Sequence, residues 1–212
     1  MSDSKRILPV RWIAAVLNAV NALAGAIVGW NINPNFLTFC ALLAGVGAGF
    51  LYWRGEPVWA LVAVVLCGFF DVLDGKVATR SHRTSLFGAI FDSTMDRYSE
   101  FFIYIGIALY LQGHWAVWLI FFTFLGSSMV SYTRARAEGL GIECKVGIMQ
   151  RAERMVLIVL ATLIGVIFDV FVPAIIAAMA LIAAVSHFTA VQRVLHVRRY
   201  EKRKKAGGEN PV

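Results

Sequence analysis

The chain is poor in the residues that build soluble metal or disulfide sites. Its 212 residues include three cysteines and four histidines. Cys40, Cys67 and Cys144 are odd in number and form no C-x-x-C pair, so no disulfide framework or thiolate zinc site is encoded. Charge is scarce as well, 16% of residues, and acidic charge scarcest, with 13 Asp and Glu against 20 Lys and Arg. The net charge of +7 comes without aromatic residues interleaved among the basic ones, which argues against a nucleic-acid partner. No internal repeat is visible.

Apolar residues are abundant instead. They make up 59% of the chain, and the mean hydropathy of +0.70 is far above that of a water-soluble domain. Six stretches reach or approach the roughly 20 residues needed to cross hydrocarbon: Asn35 to Trp53, Pro57 to Val77, Phe87 to Gln112, Trp115 to Ala137, Arg151 to Phe168 and Phe171 to Val194. Backbone groups find no water in lipid, so these spans are expected to be helices, and their short connections make an antiparallel bundle. The expectation is an all-α integral membrane protein: one domain over residues 1–205, with a six-helix bundle over 35–194 and a disordered tail over 206–212.

The opening "ILPVRWIAAVLNAVNALAGAIVGW" could pass for a signal peptide, but it is too long and has no convincing cleavage site. Arg11, Asn18 and Gly25 recur every seven residues, a thin polar stripe that predicts an amphipathic interfacial helix over 9–30. In "NINPNFLT", Asn35 or Thr38 is placed to cap the first span, and Thr38 is also a candidate headgroup contact.

Basic residues set the orientation. Lys5, Arg6 and Arg11 precede the first span, Lys76, Arg80 and Arg83 surround the second-to-third connection, and Arg134 to Arg154 surround the fourth-to-fifth. Arg54 stands alone on the other side. Both termini should therefore face the cytoplasm from the cell membrane, with the tail "RRYEKRKK" placed to touch anionic headgroups.

Against this background "DVLDGKVATRSHRTSLFGAIFDSTMDRYSE" stands out, because it carries Asp71, Asp74, Asp92, Asp96 and Glu100 between apolar runs. Asp71 and Asp74 lie three apart and Asp92 and Asp96 four apart, so on helices each pair shares a face. Each unpaired acid would cost roughly 2.5–3.5 kcal/mol to insert at a helix centre, so the four call for a bound cation. An all-carboxylate site selects Mg2+, Mn2+ or Ca2+ over zinc. Structural pairing with Lys76, Arg80 or Arg97 is the plainer alternative; Arg97 follows Asp96 directly and points about 100° away from it. Gly75 and Gly88 beside the acids would leave room for a bulky ligand to approach the backbone. The acids fall late in one span and early in the next, so the site should lie at the cytoplasmic end, whereas a transporter more often holds its charges near the midplane.

A second group, Arg134, Arg136, Lys145, Arg151 and Arg154, with Arg193 inside the last span, faces the same side. Arginine suits phosphate because its planar fork donates paired hydrogen bonds. Divalent cations beside an arginine pocket describe phosphoryl-group transfer between anionic substrates.

The acidic stretch closely resembles the signature of the CDP-alcohol phosphatidyltransferases, D-x-x-D-G-x-x-A-R, eight residues, then G-x-x-x-D-x-x-x-D. Here it reads "DVLDGKVATR" followed by "SHRTSLFGAIFDSTMD". One position departs: Thr79 stands where the motif has arginine, and Arg80 follows it. The resemblance implies that Asp71, Asp74, Asp92 and Asp96 hold Mg2+ or Mn2+, two ions, with Asp96 also the general base. It further implies that Gly75, Ala78 and Gly88 border the CDP moiety of a CDP-diacylglycerol-type lipid, with Asp71, Asp74, Arg80 and Thr38 as further contacts. "SYTRARAE…GIMQRAERMVLI" and "AVQRV" resemble the phosphatidylinositol-phosphate synthases within the family. That branch implies inositol 1-phosphate as acceptor, its phosphate held by Arg134, Arg136, Arg151, Arg154 and Arg193, CMP as leaving group, and a homodimer. Glycerol 3-phosphate or another polar alcohol is the alternative acceptor, and a divalent-cation transporter the alternative of another class.

Overall fold

The computed structural model describes residues 22–206, and all the regular structure in them is helical. Residues 22–29 form α1, followed by α2 (Pro34–Trp53), α3 (Pro57–Arg80), α4 (Leu86–Tyr110), α5 (Ala116–Glu138), α6 (Arg151–Ile167) and α7 (Phe171–Ala206). The greater part of the expected interfacial helix, residues 9–21, lies outside the described residues, as does the tail from 207 onward.

Local chemistry fixes where the helices begin. Pro34 and Pro57 occupy first helical positions, where a missing N–H removes no intrahelical bond. Asn33 caps α2 by accepting the Asn35 backbone N–H on its side-chain oxygen at 3.0 Å, so the cap lies two residues before the expected Asn35. Ser85 caps α4 in the same way, accepting the Gly88 N–H at 2.9 Å. A reciprocal Gln150 and Glu153 capping box starts α6 at Arg151. α7 runs on to Ala206, twelve residues past the expected end of its apolar stretch, because "RRYEKRKK" is built of helix formers and Glu201 pairs with Lys205 one turn on at 2.6 Å.

Four described helices are long and apolar enough to cross a membrane: α2, α3, α5 and α7. α4 carries Asp92, Asp96, Arg97 and Glu100, and α6 has 17 residues. Large apolar side chains stay exposed, Trp59 at 62% and Trp118 at 77% among them. A surface of this kind belongs against hydrocarbon rather than water, as on a membrane protein.

The chain divides into two compact units, one of residues up to Ala44 with Leu66–Ser99, the other of Gly45–Val65 with Glu100 onward. The first has a small core in which Ala24 and Ile27 of α1 meet Leu37, Leu73 and Val77. The second has a larger core built on Tyr52, Ile103, Ile107, Ile120, Ile158, Ile175, Met179 and Ile182. Within that second unit Tyr52 and Thr162 share a buried hydrogen bond of 2.7 Å between α2 and α6. Thr123 Oγ1 donates to the Met179 carbonyl at 3.1 Å between α5 and α7. Gly49 and Gly106 bring α2 and α4 into backbone contact: a Cβ on Gly106 would fall 2.0 Å from the Gly49 carbonyl oxygen.

That contact predicts an asymmetry between two glycines. Gly106→Ala should cost about 1–3 kcal/mol through overpacking. Gly47→Ala, whose Cβ would meet nothing within 4 Å, should be neutral or gain up to about 1 kcal/mol from helix propensity. Thermal unfolding in detergent distinguishes the two.

Candidate active site

The acidic stretch folds into two helices and a short turn. α3 runs through Asp71 and Asp74 to Arg80, the turn includes His82 at a φ of 54°, and the Ser85 cap starts α4 in time for Asp92 and Asp96. Asp71, Asp92 and Asp96 each offer a carboxylate oxygen, and these oxygens lie within 4.8 Å of one another. All three residues are half-buried. An all-oxygen donor set of this size and charge fits a hard divalent cation. Asp74 stands outside the group of three. It is 5% exposed, and its Oδ2 accepts the Thr38 hydroxyl at 2.6 Å.

A pocket of about 230 Å3 opens in this first unit, lined by Thr38, Asp74, Gly75, Ala78, Gly88 and Asp92, and also by Asn35, Thr79, Arg83 and Ser85. A Cβ on Gly75 would meet nothing within 4 Å, while one on Gly88 would press on Ser85 Oγ at 3.1 Å. Both glycines thus keep the wall of the pocket low. Thr79 turns its hydroxyl back to the Gly75 carbonyl at 2.8 Å. Asp71 and Arg80 are not among the lining residues; Arg80 Nη1 lies 3.3 Å from where a Cβ of Gly25 would sit, against α1. Arg83 faces the pocket instead, tethered to the side-chain oxygen of Asn31. Asn31 holds a φ of 58°, a left-handed conformation that asparagine tolerates. Arg97 donates back to the Ser93 carbonyl of its own helix.

The arginines lie in the second unit. Arg154 is 1% exposed and grips Glu100 with Nε at 2.5 Å and Nη2 at 2.8 Å. Arg193 is 3% exposed, with Nε donating to the Val146 carbonyl at 2.9 Å and Nη1 to the Val130 carbonyl. Gly147, at a φ of 119°, allows this approach, since a Cβ there would lie 2.4 Å from Thr189 Cγ2. Arg134 is half-exposed and pairs with Glu138 at 2.8 Å. Arg193 lies within electrostatic reach of Arg134, Glu138 and Arg154. Arg136 is exposed and Arg151 half-buried. Lys145, in the preceding loop, hydrogen-bonds Glu143 and holds that carboxyl below its usual range.

A sequence model of the family described as CDP-alcohol phosphatidyltransferase matches residues 31–203. The chain belongs to this family. It is 43% identical over 164 residues to the archaetidylinositol phosphate synthase of Methanothermobacter thermautotrophicus, covering 76% of this chain and 78% of that protein. It is 35% identical over 187 residues to the phosphatidylinositol phosphate synthase of Streptomyces avermitilis, covering 83% and 76%. In structure it is similar to the Mycobacterium tuberculosis phosphatidylinositol phosphate synthase with CDP-DAG bound, with a TM-score of 0.75, 26% identity and coverage of 82% and 91%. The same mycobacterial protein is known in complex with manganese and citrate, again at a TM-score of 0.75 and 26% identity, covering 82% of this chain and 87% of that one.

Two features escape a reading of the family motif. Arg83 sits in the connecting turn, where a sequence shows only a basic residue near a membrane boundary. Glu100 continues the four-residue recurrence of Asp92 and Asp96 along α4, yet nothing in the sequence announces that its partner is Arg154, 54 positions away. Mn2+ titration followed by electron paramagnetic resonance tests the acidic cluster. Asp92→Asn should weaken Mn2+ binding by about tenfold or more, since one of three charged donors becomes neutral.

Proposed function

We propose that this member of the family transfers a phosphatidyl-type group from a CDP-linked lipid of the CDP-diacylglycerol type to inositol 1-phosphate, releasing CMP and forming a phosphatidylinositol phosphate. The observation that carries the choice of acceptor is the burial of Arg193 and Arg154 within electrostatic reach of one another, with Arg134 also in reach of Arg193. Glu138 and Glu100 offset Arg134 and Arg154, which leaves a net positive charge with Arg193, and a phosphate offers oxygens to several guanidinium forks at once. The names of the relatives above, archaetidylinositol and phosphatidylinositol phosphate synthase, support the same acceptor. An unphosphorylated alcohol would leave the arginines without their anion.

In this reading Asp71, Asp74, Asp92 and Asp96 hold Mg2+ or Mn2+, two ions. Bound there, they would supply the positive charge that the CDP pyrophosphate and the departing CMP require. Gly75, Ala78 and Gly88 border the CDP moiety, Thr38 orients Asp74, and Asp96 takes the proton of the acceptor hydroxyl. The freed oxygen forms a bond to the lipid-side phosphorus as the bond to CMP breaks, with the electron pair leaving on CMP. Arg83 supplies the cation that the motif position occupied by Thr79 lacks, because it shares the pocket with Asp74 and Gly75 and Arg80 does not. Arg136 and Arg151 complete the acceptor pocket.

The same proposal takes residues 1–205 as one catalytic domain with six membrane-spanning helices. α4 and α6 join the four apolar ones, because the acids of α4 are offset by bound cations and Arg154 of α6 by Glu100. An interfacial helix precedes them. Both termini and the active site face the cytoplasm from the cell membrane, following the basic loops, and the assembly is a homodimer.

Purified protein with CDP-diacylglycerol and a panel of acceptors should release CMP with inositol 1-phosphate. Turnover with glycerol 3-phosphate alone would overturn the acceptor assignment. Asp96→Asn should lower kcat by about 10²–10⁴-fold, the usual contribution of a general base, and unchanged turnover would remove Asp96 from that role. Arg83→Ala should raise KM for the CDP-lipid by about tenfold, the scale of one charge-assisted hydrogen bond, while KM for the acceptor stays level.

A further inference from the structure

Glu100 is a buried carboxylate with no part in the transfer as described above, yet both its oxygens are engaged by protein donors. Both its oxygens are engaged by Arg154, at 2.5 and 2.8 Å, and the Tyr104 hydroxyl adds a third bond to Oε1 at 2.9 Å. Tyr104 in turn meets Ser127 Oγ at 3.2 Å. The Glu100 side chain is 5% exposed and that of Arg154 1%. A fork of this kind uses one edge of the guanidinium and fixes its plane. Nη1, the remaining nitrogen, is buried and has no hydrogen-bond partner.

An unmet charged donor is among the least tolerable groups in a protein interior. A buried ion pair, moreover, adds little stability over apolar residues of the same volume. A pair whose task was to join α4 to α6 would gain nothing by leaving Nη1 unsatisfied. Near Arg154 lies Arg193, with two of its nitrogens already committed to carbonyl groups. The local charge is thus positive beyond what Glu100 neutralises, and the unmet donor belongs to the same group of cations.

We propose that Glu100 is a positioning residue for the acceptor: it holds the Arg154 guanidinium by Nε and Nη2 so that Nη1 is presented to the acceptor's phosphate, with Tyr104 and Ser127 fixing Glu100 in turn. The proposal rests on the acceptor reading above and deepens it. Glu100 touches no reacting atom; its effect on substrate passes through Arg154. It also explains why α4, already loaded with metal-binding acids, carries a further carboxylate one turn beyond Asp96.

The test uses the full chain in detergent or proteoliposomes. Glu100→Gln keeps the shape and loses the charge. It should raise KM for inositol 1-phosphate by about tenfold, leave KM for the CDP-lipid within about twofold, and be partly rescued in Glu100→Asp. Tyr104→Phe should raise the acceptor KM by about threefold, less than Glu100→Gln because Tyr104 acts on Arg154 only through Glu100. A second readout does not depend on turnover: inorganic phosphate should raise the melting temperature of the wild type, and Glu100→Gln should need about tenfold more phosphate for the same shift. A folded Glu100→Gln protein with wild-type acceptor KM and phosphate response would overturn the proposal, as would a fall in kcat and melting temperature with the acceptor KM unchanged. Failure of the wild type to respond to phosphate would overturn it too. If the wild type turns over no phosphorylated polyol but is protected by phosphate in a Glu100-dependent way, the acceptor assignment fails and the positioning role stands. Should Glu100→Gln not fold, Tyr104→Phe decides by the same two measurements.

Discussion

Three carboxylate oxygens within 4.8 Å of one another, on helices made largely of apolar residues, are the constraint around which the first unit is organised. At an effective dielectric near 20, each pair of such charges repels by roughly 3 kcal/mol. Three pairs together approach the whole net stability of a typical domain. Such repulsion favours a nearby positive charge, and an all-oxygen donor set of this spacing suits a hard divalent cation. Asp74 is handled differently: buried deeper, it has the Thr38 hydroxyl to share its charge.

The surrounding helices are arranged to hold those acids in place. Asn33 and Ser85 set the first residues of α2 and α4 through their side-chain oxygens, and a helix whose start is set has the phase of every later side chain set with it. Thr38 reaches Asp74 because it lies one turn into α2, and Asp92 and Asp96 share a face of α4 because they follow the Ser85 cap by two and three turns. Glycine acts at one remove. Gly75 and Gly88 leave the pocket wall without side chains, and Gly49 and Gly106 let α2 and α4 approach to backbone contact in the second unit. Each of these features restricts freedom before any ligand arrives, and that restriction is what lets a site act on substrate rather than adjust to it.

Most of the fold and the acidic half of the site could be read in the sequence, because both follow from local rules. Hydropathy marks the helices, a spacing of four puts Asp92 with Asp96, and a positional motif identifies the family, while Asp74, expected in one cluster with the other three, stands outside their group. What escaped depends on contacts between distant residues or on a choice between equivalent neighbours. Asn33, Asn35 and Thr38 are all competent caps, and the chain uses Asn33. Arg80 and Arg83 are both basic residues near one turn, and only the tether to Asn31 and the contact with Gly25 show that Arg83 faces the pocket while Arg80 lies against α1. α7 outlasts its apolar stretch because helix propensity and the pairing of Glu201 with Lys205 continue where hydropathy stops.

The arginines show the same limit in its sharpest form. The resemblance assigns five to one acceptor pocket, and a sequence shows the same guanidinium group in each. The fold makes them unequal by giving each a different share of its donors to the protein. Arg193 spends two nitrogens on the carbonyls of Val146 and Val130, which ties the loop before α6 to α5 and α7. Arg134 shares one with Glu138 at the surface. Arg154 gives one edge to Glu100 and keeps Nη1 unmet in the interior. A guanidinium with every donor satisfied can contribute only charge to a ligand, whereas one held by a single edge contributes charge, direction and an unmet hydrogen bond. In the proposed reading, recognition of a phosphorylated acceptor would depend less on how many arginines gather than on which donors the protein leaves open, and Arg154 is where burial makes an open donor most consequential.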